Sequence, residues 1–230
     1  MADTASRMAV RLVGGRTALM EIGGLRLLTD PVLDGSESPD MIGLIDVVLL
    51  SRDRSGDDLG SCGRALLERA PLVLTTPGGA ARLGRCARAL LPWYHLSLAC
   101  SDETMLRITG VSAQRESGSA IELTGFVLSG VGIPTSYVSA ADTSLDVVRE
   151  VARRCAPIDV AVLLAGAADT SQANGNSEQV ARAMAILGSP VVIPAHVDGR
   201  DSVEDIRAAL CRRGLGDRLC VLTAGETRTF

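Results

Sequence analysis

The hydrophobic run IDVVLL, residues 45–50, constrains this chain more than any other stretch. A run this short and this apolar reads as a buried strand. The residues after it therefore stand at a strand's C-terminal end, where open α/β sheets place their chemistry. The next ten residues are SRDRSGDDLG, which present Arg52, Arg54, Asp53, Asp57 and Asp58 with no histidine and no cysteine. Such a stretch is either a solvated charged loop or an active-site loop with altered chemistry.

The pattern around it extends the strand reading. MAVRLVG, TALMEIG and LRLLTDP alternate as strands, and the glycine pairs Gly14-Gly15 and Gly23-Gly24 between them are hairpin signals. A polar segment spans Asp34 to Asp40. Beyond the charged loop, CGRALLERA reads as a helix, PLVLTT as a strand, and GAARLGRCARAL as a second helix. The middle returns to strands in MLRITGVSAQ, AIELTGFVLSG and TSYVSAADT, with GVG as a hairpin turn. The last third alternates: a helix from Ser144 to Cys155, strand VAVLLA, helix SEQVARAMAILG, strand SPVVIPAHV, helix SVEDIRAALCRRG and a final strand RLCVLTAG. Ser144 and Ser202 each precede an acidic residue and an apolar-periodic run, as N-caps do. Glu204 and Asp205 fit first-turn charges on a helix. This order predicts one domain over 1–230, α/β with mixed sheets in two β-rich layers and helices outside. Residues 1–7 read as a disordered tail.

Composition narrows the function. At 230 residues, the chain is long enough for a large core, and 47% hydrophobic with 22% charged residues is globular. A net charge of -4 with 2% aromatics argues against a nucleic-acid binder, which needs basic surface and stacking rings. Every basic residue is arginine, so a Schiff base or lysine nucleophile is excluded. The six cysteines (Cys62, Cys86, Cys100, Cys155, Cys211, Cys220) form no CxxC pair. No apolar run is long enough to span a membrane. A soluble protein of the reducing cytoplasm is expected, with no membrane association.

The ordered set VRLVGGRTALMEIGGLRLLTDPV, IDVVLLSRDRSGDDL, VSAQRE, SYVSAADTS, IDVAVLLAG and VVIPAHVDG resembles the metallo-β-lactamase superfamily. Within it, the set is most similar to the small metal-dependent hydrolases that include the L-ascorbate-6-phosphate lactonases. The resemblance covers nearly the whole chain and implies a four-layer αββα sandwich with the site at one edge between two sheets. In that family, the loop after the fourth strand carries His-x-His-x-Asp-His. A histidine from a middle loop, a bridging aspartate and a C-terminal histidine complete a two-zinc centre. The zinc ions hold a hydroxide that attacks the substrate.

Carried onto this chain, the resemblance puts Arg52 and Arg54 where the first two histidines stand. Gly56 replaces the motif aspartate, Asp57 the third histidine, and Arg115 the middle-loop histidine. Asp142 matches the bridging aspartate and His196 the C-terminal histidine. Arginine stays protonated and offers only donors, so it cannot bind a cation. The expectation is a pocket without zinc and without a cofactor. Its charge is preserved: two Zn²⁺ with two carboxylates and a hydroxide sum to about +1. Three arginines with Asp57 and Asp142 also sum to about +1 when His196 is neutral.

These residues give the candidate assignment. Arg52, Arg54 and Arg115 would grip a carboxylate, phosphate or developing oxyanion, or else only neutralise Asp53, Asp57 and Asp142 in an ion network. His196 and Asp142, with Asp57, would carry acid–base chemistry on a small anionic or carbonyl-containing substrate: elimination, isomerisation, cyclisation or lactone or ester turnover. Two alternatives stand beside this. One is a non-catalytic partner subunit; the other is a single-metal hydrolase using Asp57, Asp142 and His196. A homo-oligomer is compatible with the sequence. Ser51, Ser55 and Ser139 lie near the site without a GxSxG elbow, and Thr143 suits a helix cap. His95, in LPWYHL, is expected in a partly exposed aromatic cluster with Trp93 and Tyr94, or else along the pocket edge.

Overall fold

The computed structural model describes residues 8–14, 17–33, 39–52, 59–84, 86–101, 103–112, 122–140, 144–164, 175–188, 190–195, 203–223 and 225–230. Residues 1–7, expected as a tail, lie outside this set. The chain opens with β1 (Met8–Leu12), β2 (Ala18–Ile22) and β3 (Leu25–Thr29) in an antiparallel meander. At the β2–β3 turn, Gly23 and Gly24 both take positive φ, 56° and 84°. A two-residue hairpin loop of this hand requires that, which is why the sequence spends two glycines there. The short helix α1 (Pro39–Ile42) leads to β4 (Val47–Leu49), then α2 (Gly60–Arg69), β5 (Leu72–Thr75), α3 (Pro77–Leu83) and β6 (Ala87–Ala89). Strands β3 to β6 are mutually parallel.

The second sheet begins with β7 (His95–Ala99), β8 (Met105–Ser112), β9 (Thr124–Gly130) and β10 (Ile133–Val138), all antiparallel neighbours. It continues through α4 (Leu145–Cys155), β11 (Val160–Leu164), α5 (Gly175–Ile186) and β12 (Val191–Ala195), with β10, β11 and β12 parallel. Helix α6 (Val203–Cys211) and β13 (Thr227–Thr229) end the chain. The sheet orders are β13-β1-β2-β3-β4-β5-β6 and β12-β11-β10-β9-β8-β7.

Side-chain alternation makes these two sheets into layers. Met8, Val10, Met20, Leu27, Leu49 and Leu74 of the first sheet meet Leu106, Ile108, Phe126, Leu128, Val162 and Ile193 of the second in one buried core. The opposite faces of the same strands bury a second set. Leu28, Val48 and Val73 pack on Leu66 and Leu67 of α2, and Ala161, Leu163 and Val192 pack on α4, α5 and α6. Each large apolar side chain buried in this way contributes about 1.5–3 kcal/mol relative to exposure. The result is an α/β, four-layer αββα sandwich with two mixed sheets, as the resemblance implied.

Helix α4 shows how local chemistry supports the layers. The Ser144 hydroxyl accepts from the Val147 N–H at 3.3 Å, which caps the first turn. Asp146 lies in the first turn, and Arg153 and Arg154 in the last, which suits the helix dipole. Ser202, the other expected cap, lies outside the described residues. Glu204 and Asp205 do occupy the first turn of α6.

Three expectations are corrected. The segment GAARLGRCARAL is not one helix, because α3 stops at Gly84, whose φ is +60°, and Ala87–Ala89 pair with β5 instead. Strand β7 was not expected; it forms because Leu96 and Leu98 can pack on the inter-sheet core while paired with β8. RLCVLTAG is not the last strand. Among its described residues, the backbone pairing with β12 is a bridge at Leu219 and the Cys220 N–H, and the final strand is Thr227–Thr229 on β1.

Phe126, 1% exposed between the sheets, tests the layering. Phe126→Ala is expected to lower stability by about 3–5 kcal/mol in denaturant titration. Leu44→Ala, at a residue 89% exposed, stays within about 0.5 kcal/mol.

Candidate functional site

Parallel pairing fixes where the loops leave. Strands β3, β4 and β5 run in one direction, so Thr29, Leu49 and Thr75 end at one edge of the first sheet. Strands β10, β11 and β12 likewise bring Val138, Leu164 and Ala195 to one edge of the second. The end of β8 and the start of β9 share that edge, since Ser112 pairs with Thr124 and Phe126 with Val138.

The two edges are joined. The Thr124 N–H donates to the Ser51 carbonyl at 2.8 Å, one hydrogen bond from the second sheet to the first. The Ser51 N–H in turn donates to the Asp30 carboxylate at 2.7 Å. Asp30 is buried, takes φ +33°, and donates its own N–H to the Leu49 carbonyl at 3.0 Å. Its carbonyl accepts from the Thr17 hydroxyl at 2.8 Å, and that hydroxyl accepts from the Val32 N–H at 3.0 Å. Thr17, Asp30, Ser51, Thr124 and Ser139 are all buried, so the edge carries a polar seam within an otherwise apolar core. Buried polar groups of this kind persist only when paired.

Two further contacts brace the edge. The Glu122 carboxylate accepts from the Gly78 N–H at 2.8 Å at the start of α3, where the Thr76 hydroxyl also accepts from the Gly79 N–H. Gly63 of α2 lies so close to the Pro31 carbonyl oxygen that a Cβ would overlap it. Helix α2 therefore packs directly under the turn that holds Asp30.

Of the six residues given a catalytic or binding role, Arg52 is the one that the structure describes. It is half-buried and comes directly after Ser51 at the exit of β4. Arg54 and Asp57, with Asp53, Ser55 and Asp58, lie outside the described residues, as do Arg115, Asp142, Thr143 and His196. Their flanks are described: Ser112 and Glu122 bracket the stretch holding Arg115, Ala140 and Ser144 bracket Asp142, and Ala195 precedes His196. Ser112 and Ala195 end β8 and β12, Glu122 lies just before β9 and Ala140 just after β10, all at the edge just described.

Asp30, Glu122 and Thr124 were not singled out from sequence. The one local hint was the TDP turn, because aspartate tolerates positive φ better than most residues. The expected aromatic cluster forms only in part. Trp93 packs on the outer helices with the Arg154 guanidinium 4.6 Å above its ring, while Tyr94 and His95 are exposed. A groove of about 360 Å³ on the outer face of β1–β3, lined by Arg11, Glu21, Arg26 and Met41 among others, contains none of the candidate residues. Among the described residues, no three His, Cys, Asp or Glu side chains form a metal-binding group. No helix among them is long and apolar enough to cross a membrane.

The architecture matches solved structures along the full chain. An isothiocyanate hydrolase from Delia radicum gut bacteria superposes with a TM-score of 0.74 at 16% identity, over 97% of this chain and 99% of that one. Igni18, a metallo hydrolase from the archaeon Ignicoccus hospitalis, gives 0.72 at 18% identity, over 97% and 98%. The metallo-β-lactamase fold protein YhfI from Bacillus subtilis gives 0.68 at 13%, over 98% and 100%. The chain has the metallo-β-lactamase fold. No family model and no curated protein matches the sequence.

Gly63→Ala sets two effects against each other. The change gains about 1 kcal/mol of helix propensity, but the overlap with the Pro31 carbonyl forces a shift costing about 1–3 kcal/mol. A net loss of stability is expected in thermal unfolding, and a gain would show that α2 is not seated under the Asp30 turn. Asp30→Ala leaves the Ser51 N–H without its acceptor and is expected to cost about 1–3 kcal/mol in denaturant titration.

Proposed function

We propose that this protein uses the metallo-β-lactamase pocket without metal, to bind a small anionic or carbonyl-containing molecule and act on it by acid–base chemistry. The carrying observation is the donor set. Arg52 stands at the exit of β4 where the resembled family has its first zinc-binding histidine, and a guanidinium has no lone pair for a cation. Arg54 and Arg115 repeat the substitution at two more ligand positions. The residues present do not fit a dinuclear zinc centre.

They suit an anion instead. Guanidinium groups present planar, fixed donors that match carboxylate and phosphate oxygens, and such charge-assisted bonds exceed neutral ones. In this reading, Arg52, Arg54 and Arg115 hold the substrate's charge. His196, oriented by Asp142, moves the proton, and Asp57 balances the arginines. The fold leaves the reaction open, because it is shared with an isothiocyanate hydrolase and with CmlA, a diiron β-hydroxylase from Streptomyces venezuelae. Over CmlA, the match covers 98% of this chain but 54% of that one, with a TM-score of 0.67 at 17% identity. Nucleic acid and membranes are not partners in this reading, and six cysteines held as thiols suit a reducing cytoplasm.

A thermal-shift panel of small carboxylates, phosphates and lactones tests the proposal. At least one compound is expected to raise the melting temperature of the wild type. Arg52→Ala then weakens that compound by roughly 30-fold in Kd, the equivalent of about 2 kcal/mol for a lost charge-assisted bond. A panel with no hit, or a hit indifferent to Arg52, would count against it.

A further inference from the structure

The four sheet edges of this sandwich are not alike. Strands β6 and β13 are three residues long and carry Arg88 and Arg228, and charge on a short edge discourages further pairing. Strand β12 is covered at Val192, where Leu219 bridges and the Cys220 N–H donates at 2.8 Å. Strand β7 is five residues long, HLSLA, with no proline and no arginine or acidic residue.

Its hydrogen-bond phase is fixed by its neighbour. The Gly110 N–H donates to the Tyr94 carbonyl at 3.0 Å and the Cys100 N–H to the Thr104 carbonyl at 2.8 Å. In an antiparallel pair, bonded and non-bonded positions alternate. With His95 opposite Thr109 and Ala99 opposite Met105, residues 96 and 98 face β8. The backbone groups of His95, Ser97 and Ala99 therefore point away from the sheet. Among the described residues this row is open, and it has a defined length, because the Ser101 N–H already donates to the Gly23 carbonyl at 2.9 Å and the β2–β3 turn closes it there.

We infer that β7 pairs with β7 of a second copy of this chain, antiparallel about a two-fold axis through Ser97. The observation that selects a second copy is the self-complementarity of the row. Under this axis, Ser97 lies opposite the partner's Ser97, and His95 opposite the partner's Ala99. Each large imidazole meets the smallest side chain of the strand. Beyond that alanine stands the partner's Met105, half-exposed, which the imidazole can reach as a sulfur–aromatic contact. No two like charges are opposed, since Arg107 lies one strand back, opposite Ser97 on β8. All three pairs fall on bonded positions, so every outward N–H and C=O of the row gains a partner. A five-residue strand pair belongs to the small class of interfaces. The association is therefore concentration-dependent rather than permanent. This inference stands apart from the proposed chemistry.

Sedimentation velocity over a wide concentration range, with Ser97→Arg and Ser97→Cys beside the wild type, tests it. The wild type is expected to move from monomer to dimer as concentration rises. Ser97→Arg opposes two guanidinium groups across the axis and is expected to weaken the dimer at least 10-fold. Ser97→Cys places two thiols on Cα atoms about 5.5 Å apart, within disulfide reach. It is expected to give a reducible covalent dimer under mild oxidation that the wild type, with its own cysteines, does not. Both variants alter a residue whose N–H is not used by β8, and Ser97→Cys is nearly isosteric, so circular dichroism should match the wild type. A wild type monomeric at every concentration, a dimer indifferent to Ser97→Arg, or oxidation that joins wild type and Ser97→Cys equally would each overturn the inference.

Discussion

The backbone of Ser51 holds the candidate edge together. Its N–H is taken by the Asp30 carboxylate of the first sheet, and its carbonyl by the Thr124 N–H of the second. Both groups are buried, so neither bond can be exchanged for water at low cost, and an orphaned group costs about 1–3 kcal/mol. The seam therefore fixes two things at once: the relative placement of the sheets at this edge, and the direction in which the chain leaves β4 at Arg52. Asp30 accepts a backbone conformation at positive φ to deliver its carboxylate there. Helix α2 is packed against the same turn through a residue that has no side chain to obstruct it.

Much of this was legible from sequence where an apolar run has both faces buried. IDVVLL, VAVLLA and VVIPA announce strands because no helix face and no solvent-exposed strand needs such continuity. Failures fell where tertiary pairing outweighed local pattern. The apolar spacing of GAARLGRCARAL fits a helix, yet Gly84 turns the chain and β5 recruits Ala87–Ala89 as its neighbour. HLSLA alternates too briefly to stand out, and RLCVLTAG has strand composition but gains only a bridge on β12. The seam was illegible for a different reason. Asp30 and Ser51 are 21 residues apart, and nothing in either neighbourhood names the other. Arg52 drew notice only through the order of the motifs, and the structure places it directly after Ser51 at the exit of β4.

The same edge explains why a change of ligand chemistry need not disturb the fold. The seam is built from Thr17, Asp30, Ser51 and Thr124, none of which is a metal-ligand position in the resembled family. Histidines can then be exchanged for arginines in the loops while the strands that carry those loops stay paired. In the proposed reading, what changes is the kind of ligand the pocket attracts. Metal ions need lone pairs, whereas guanidinium groups supply only N–H donors, and those are satisfied by the oxygens of an anion.

Metal content is the most direct test of that claim. Protein expressed in zinc-, iron- and manganese-supplemented medium and purified without chelator would be analysed by inductively coupled plasma mass spectrometry. The account predicts no stoichiometric transition metal and a melting temperature unchanged by chelation. One or more tightly held metal ions per chain, with a melting temperature that falls when they are removed, would contradict it.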